Sequence, residues 1–275
     1  MRAIKKTIPH IFLMGYLLII LYPFLFVIFS SFKTNNQDIA SNPFGLPGSI
    51  SFDNYVNAWV NAKISTYFLN SLYIGILAAC VSILFAAMLS FAVTRMRYNK
   101  ISAIVFQLIL LGMLIPNNSL LLPIYGIMRK LDILDTHMAL ILPYVANAIP
   151  FSVVILAAFM RSLPGEIEEA AVIDGLSSAG LFARIIIPLT IPAIVTVFII
   201  NFLGNWNEFL LANYFLSNDA LKTLPVGMVG FRDAYNTNYA QMSAGIVFSV
   251  VPVMIIYAIL QEQIIEGVTA GSVKG

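Results

Sequence analysis

Six long stretches of this chain carry no Asp, Glu, Lys or Arg. They are 11–32 (22 residues), 64–94 (31), 101–128 (28), 136–160 (25), 185–207 (23) and 234–261 (28). A helix of about 20 apolar residues crosses a hydrocarbon core about 30 Å thick, so each stretch is long enough to span a bilayer. Transmembrane β-strands alternate apolar and polar residues over about ten positions, and these runs do not alternate. A helix also satisfies its backbone groups within its own segment. The expected fold is therefore all-α and polytopic, with six transmembrane helices.

Composition excludes the main competitors. The chain is 60% hydrophobic and 10% charged, with a mean hydropathy of +0.89. Soluble domains are about 45–50% apolar and about 25% charged, so a soluble globular enzyme is excluded. Disorder needs low hydrophobicity and high charge, and is excluded too. With 15 basic and 13 acidic residues and no basic run, the chain offers no nucleic-acid surface. The single Cys80 lies in an apolar stretch and reads as a small hydrophobe.

Arg2, Lys5 and Lys6 precede the first apolar run, as in a signal peptide, but the run exceeds the usual core of about 7–15 residues and no A-x-A-like site follows. An uncleaved first helix is expected. With the N-terminus inside, the inner segments carry nine basic residues (Arg2, Lys5, Lys6, Arg95, Arg97, Lys100, Arg161, Arg184, Lys274). The outer segments carry six (Lys33, Lys63, Arg129, Lys130, Lys222, Arg232). That bias favours N-in and C-in. One transmembrane domain over 1–275 is expected, with a core at about 64–263, an inner loop at 161–188 and a cytoplasmic tail at 264–275.

Pro23, Pro116, Pro123, Pro143, Pro150, Pro192 and Pro252 lie inside or at the edges of the apolar stretches. Each removes a backbone donor and favours a kink or break. Ala78-Ala79-Cys80 and Ala86-Ala87 allow close helix approach. The expected arrangement is a packed bundle with a path through or beside it.

The inner loop 161–188 carries the most specific pattern. Pro164 suits the first turn of a helix, and Glu166, Glu168 and Glu169 suit the positive end of its dipole. Gly175 suits a reversal at positive φ. Ser177 or Ser178 then caps a second short helix through Leu181, Phe182, Ile185 and Ile186, and Pro188 and Pro192 mark the start of the fifth span. Ile167, Ala170, Ala171 and Asp174 fall at i, i+3, i+4 and i+7 on one helix face, where small alanines admit a close partner. The pattern alone fits equally an interfacial hairpin that only joins two spans.

Glu169-Ala170-Ala171, three residues, Gly175, nine residues, then Ile185-Ile186-Ile187-Pro188 resembles the EAA motif of ABC importer permeases, E-A-A-x3-G-x9-I-x-L-P, with Ile187 where Leu is usual. Phe68-Leu69-Asn70-Ser71 looks like the start of the permease core, and Asn205-Trp206-Asn207-Glu208-Phe209 is similar to the carbohydrate branch. The ending Glu266–Gly275 resembles the six-helix maltose-type permease. The resemblance implies that the loop docks in a groove of a separate ATP-hydrolysing subunit, with Glu169, Ala170, Ala171, Asp174, Gly175 and Pro188 at the coupling site and the tail also reaching the ATPases. It implies a heterodimer with a second permease subunit, two ATP-binding subunits, an extracytoplasmic solute-binding protein, and residence in the cytoplasmic membrane of a prokaryote. Long polar outer segments at 33–63 and 218–233 either meet that binding protein or serve as solvated connectors.

Polar residues within apolar spans point to a pathway. Asn201, Asn205 and Glu208 fall at i, i+4 and i+7, flanked by Trp206 and Asn207; Asn147 and Tyr144 lie in the fourth span. Asn amides donate and accept, which suits sugar hydroxyls, but such groups also brace neighbouring helices. The sequence holds no G-x-x-x-x-G-K-[ST], H-E-x-x-H or G-x-S-x-G, no Cys pair, and only two distant His residues, His10 and His137. No catalytic group, metal or cofactor is therefore expected, and ATP hydrolysis is assigned to a partner chain. The expected function is permeation of a sugar or oligosaccharide; the alternatives are an ABC permease for another small polar solute, such as a polyamine or phosphate, and a secondary transporter.

Overall fold

The computed structural model describes residues 2–34, 36–96, 99–231 and 238–270, with side chains described at 9–34, 36–96, 100–231 and 238–262. Arg97, Tyr98, Arg232, Asp233, Asn236 and 271–275 of the tail lie outside the described residues, as do the side chains of Arg2, Lys5, Lys6 and 263–270. All regular elements among the described residues are helical. The main ones are α1 (Arg2–Ser31), α2 (Ile64–Arg95), α3 (Asn99–Met113), α4 (Leu121–Lys130), α5 (Met138–Ser162), α6 (Gly165–Ile173), α7 (Ser178–Trp206), α8 (Leu210–Phe215), α9 (Leu224–Val229) and α10 (Tyr239–Ala270).

Five helices among the described residues are long and apolar enough to cross a membrane, within α1, α2, α5, α7 and α10. The third uncharged stretch is not one straight span. Its two halves meet at 89°, and the total reaches six only if this bent pair counts as one span. Pro116 explains the break. It sits in extended backbone (φ −64°, ψ 124°) ahead of a 3₁₀ turn at Asn117–Leu120, withholding an N–H and pushing its predecessor out of the α region.

A second difference concerns the inner loop. The short helix after Gly175 is not separate from the fifth span. Ser178–Trp206 runs on as one helix, with a π-turn at Phe182–Ile186. Pro188 withholds its N–H from the Arg184 carbonyl beside this widened turn, and Pro192 withholds its own from the Pro188 carbonyl within regular α-helix.

The chain separates into two compact units. One comprises the residues up to Phe68 together with Leu224–Met254; the other comprises Leu69–Thr223 with the residues from Ile255 onward. In the first unit, Phe248 meets Tyr55 at 5.6 Å and Trp59 at 4.9 Å between ring centroids. Asn54 donates to the carbonyls of Ser31 (2.9 Å) and Lys33 (2.7 Å), fixing the chain where α1 ends.

In the second unit α2, α5 and α7 meet in a core of Ile83, Ala86, Ala87, Val153, Leu156, Ala193 and Val197. Alanines here let the backbones close up, as small residues do in membrane bundles. Gly75 extends the contact: a Cβ there would stand 3.1 Å from Phe202 Cε2. The 216–223 connection is clamped from two sides. Asp135 accepts from the N–H groups of Ser217 (2.8 Å) and Asn218 (2.7 Å), and Asn70 donates to the carbonyls of Ala220 and Lys222, each at 2.9 Å.

Candidate functional site

Two sites take shape in the second unit. The first is the knob after α5. Pro164 caps α6 in extended conformation, and Glu166 and Glu168 lie in its first turn. The helix ends at Asp174, and Gly175 reverses the chain at φ +83°. That region is strained for other residues and open to glycine. The Ser177 hydroxyl then accepts from the Gly180 N–H at 3.2 Å and caps α7.

The face expected to be uniform is split. Ala171 is only 6% exposed and packs into a cluster with Phe91, Met160, Leu181 and Ile186. Three residues earlier, Glu168 points the same way and pairs with Arg95, its Oε1 2.8 Å from Nε. Ala171 thus anchors the knob to its own bundle and is not free for a partner. The outward surface carries Glu169, Ala170, Asp174, Gly175 and Pro188, all exposed. Val172 (58% exposed) and Ile173 (85%) join them. Those two apolar residues escaped the sequence reading because a four-residue face at i, i+3, i+4 and i+7 leaves them on its flank.

The second site is a cavity of about 330 Å³. Tyr144, Asn147, Asn201, Asn205 and Glu208 line it together with Asn117 and Asn118. Five of the six residues expected on a pathway are therefore brought together. The exception is Trp206, which is 1% exposed and packs against Phe202 at 5.7 Å. Facing the core is what position 206 requires, one residue after Asn205 on a helix whose other face lines the cavity. Asn117 and Asn118 enter through the bend after Pro116; the run Pro116-Asn117-Asn118-Ser119 inside an apolar stretch was the available signal. A larger neighbouring cavity of about 570 Å³ shares Asn117, Asn147, Phe151 and Leu211 with it.

The polar groups of the cavity differ in how far they are already engaged. Asn201 is buried, and its amide donates to the hydroxyls of Ser152 (2.9 Å) and Ser82 (3.2 Å). Both hydroxyls donate to their own helices, to Ala148 O (2.7 Å) and Ala79 O (2.8 Å). Asn201 thus braces α7 against α2 and α5. Asn205 makes one long bond, to Gly75 O at 3.4 Å, and is the freer of the two amides. Glu208 accepts from Tyr144 Oη (2.6 Å) and from the N–H groups of Leu211 (2.7 Å) and Ala212 (3.1 Å). It stands just beyond the end of α7, where Asn207 closes the last turn by donating to Leu203 O at 2.8 Å. Among the described residues no group of three or more His, Cys, Asp or Glu could hold a metal ion.

Comparison with known proteins places these features in context. Residues 82–269 match the family described as "Binding-protein-dependent transport system inner membrane component". The chain is 36% identical over 272 residues to the "Probable ABC transporter permease protein YurM" of Bacillus subtilis, covering 99% of this chain and 90% of that protein. It is 35% identical over 270 residues to the "Diacetylchitobiose uptake system permease protein NgcG" of Streptomyces coelicolor, covering 98% and 89%. Among solved structures, a chain of a bacterial ABC transporter that imports the acidic polysaccharide alginate superposes with a TM-score of 0.85 at 22% identity. It covers 94% of this chain and 96% of that one.

Proposed function

The chain belongs to the binding-protein-dependent transport system inner membrane component family, and on that premise we propose that it is the membrane-spanning permease subunit of an ATP-driven importer for a sugar or oligosaccharide. It lies in the cytoplasmic membrane as a multi-pass protein, N-in and C-in. It pairs with a second permease, two ATP-binding subunits and an extracytoplasmic binding protein.

One observation supports the docking role above all. The knob is a short helix, a left-handed glycine and a capped helix, presenting Glu169, Ala170, Val172 and Ile173 outward. An acidic group beside exposed apolar side chains suits a partner groove that combines a basic rim with an apolar floor. Closure of the ATPase pair around ATP favours one of two permease states, which is what a bistable importer requires.

The cavity supports carbohydrate cargo. Its lining places three further Asn amides, Asn117, Asn118 and Asn147, with Asn205 and a single carboxylate. Amides that donate and accept match sugar hydroxyls. The permease relative named for diacetylchitobiose uptake fits the same substrate class.

Reconstitution tests the proposal. The complete complex is placed in liposomes with its binding protein, and accumulation of radiolabelled cellobiose, maltose and diacetylchitobiose is followed with and without ATP. ATP-dependent accumulation of at least one sugar, insensitive to proton and sodium ionophores, is expected. Ion-driven uptake without ATP would replace the proposal with a secondary transporter, and ATP-driven uptake of putrescine or phosphate alone would replace its cargo.

A further inference from the structure

Arg95 closes α2, and its guanidinium gathers three elements at one point. Its Nη2 donates to Met160 O and to Leu163 O (3.2 Å). Met160 lies in the last turn of α5 and its carbonyl also accepts from the Leu163 N–H (3.2 Å), while Leu163 is the extended residue that follows the helix; carbonyls at a helix end commonly take such side-chain donors. Its Nε faces Glu168 Oε1 of α6 at 2.8 Å, off the N–H direction, so the contact is one of charge and not an aligned hydrogen bond. The two side chains are 14% and 17% exposed. An ion pair this sheltered is screened far less than a surface pair. Beside it, Ala171 packs against Phe91 of α2 and Met160 of α5.

The outward face of α6 was assigned above to ATPase docking; its inward face consists of Glu168 and Ala171. We propose that the Arg95–Glu168 pair is the positioning contact that carries movement of the docked knob into α2 and α5. This rests on the docking reading and goes beyond it. Arg95 and Glu168 touch neither ATPase nor cargo. They make the knob and the cytoplasmic ends of two spans move together, so a pull on α6 reaches α5, whose Tyr144 and Asn147 line the cavity. A guanidinium suits the task because its planar fork serves several acceptors at once, which an ammonium cannot do in the same geometry.

The test uses the whole complex in lipid nanodiscs, with Glu168→Gln, Arg95→Lys and the double variant. Three quantities are read: ATPase subunits retained on purification, basal ATP hydrolysis, and hydrolysis stimulated by the sugar-loaded binding protein. Each single variant is expected to retain the ATPase subunits and basal hydrolysis while losing stimulation about fivefold or more, the low end of typical coupling between sites. The double variant is expected to be no worse than the poorer single one, since both remove the same contact. Unchanged stimulation in Glu168→Gln, or strictly additive losses, would overturn the positioning role and leave docking intact. Loss of the ATPase subunits from the single variants would overturn it differently, by placing the pair in the docking surface itself. If the unaltered chain retained no ATPase subunit, the docking reading would fail first. Should Arg95→Lys not fold into the membrane at all, Glu168→Gln decides alone, because it removes one charge and no volume.

Discussion

Tyr144 donates its hydroxyl to Glu208 across 2.6 Å, linking the second turn of α5 to the break between α7 and α8. Glu208 is at the same time the acceptor for the first free N–H groups of α8. The carboxylate is therefore engaged on both oxygens, and its first role is to hold this break in place. Hydrogen bonds to charged groups contribute about 1.5–3 kcal/mol, so Tyr144→Phe is expected to lower the midpoint of thermal unfolding in detergent. Glu208→Ala should lower it further, because it also removes the cap. Equal midpoints for Tyr144→Phe and the unaltered protein would show that the contact carries no stability.

Asn201 and Asn205 lie one turn apart and should separate cleanly. Asn201→Ala removes the brace to Ser82 and Ser152, and side-chain bonds between membrane helices contribute about 0.6 kcal/mol on average. A lower melting midpoint is expected, with the relative uptake of different sugars unchanged.

Asn205 has only a long bond to Gly75 O to lose. Asn205→Ala is expected to raise the sugar concentration needed for half-maximal uptake several-fold while the ATPase subunits still co-purify. A loss of assembly in place of weaker uptake would assign Asn205 to helix packing.

The turn at Gly175 allows a purely conformational test. Space around it is open, so an added side chain meets nothing, yet its φ is +83°. A left-handed conformation costs about 1–2 kcal/mol for an ordinary L-residue. Gly175→Val is expected to cut uptake strongly, and Gly175→Asn, which tolerates that region better, to cut it less. Identical losses would point to a clash with the partner and away from strain in the turn.

Glu169 is exposed on the outward face of the knob. Glu169→Lys is expected to leave the chain inserted but to abolish uptake, with the ATPase subunits lost from the purified complex. Normal uptake by this variant would remove Glu169 from the docking surface.

Much of this was legible in the sequence, because burial in lipid leaves a coarse mark. Five of the six long uncharged runs coincide with helices long enough to span, and the residues of the EAA-like pattern fold into the helix, glycine turn and cap that their chemistry favours. Charge counting could not see the bend in the third stretch, since an uncharged run reads the same whether straight or broken. Pro116 and the two asparagines after it were the sign. Spacing within one helix brought Asn201, Asn205 and Glu208 to one face, but could not say which was occupied by neighbours. The partners of Asn201 lie 119 and 49 residues away in sequence. The Arg95–Glu168 contact was hidden for the same reason: one residue read as an inner-loop charge, the other as a dipole partner, and only the fold brings them together.

If this chain is one part of an ATP-driven machine, its partners leave the membrane with it. The most direct measurement is gentle detergent extraction from the native membrane, purification through a tag on this chain, and mass spectrometry of what accompanies it. An ATP-binding subunit at two copies and a second permease at one copy for each copy of this chain are expected. Reproducible recovery of the folded chain alone would contradict this.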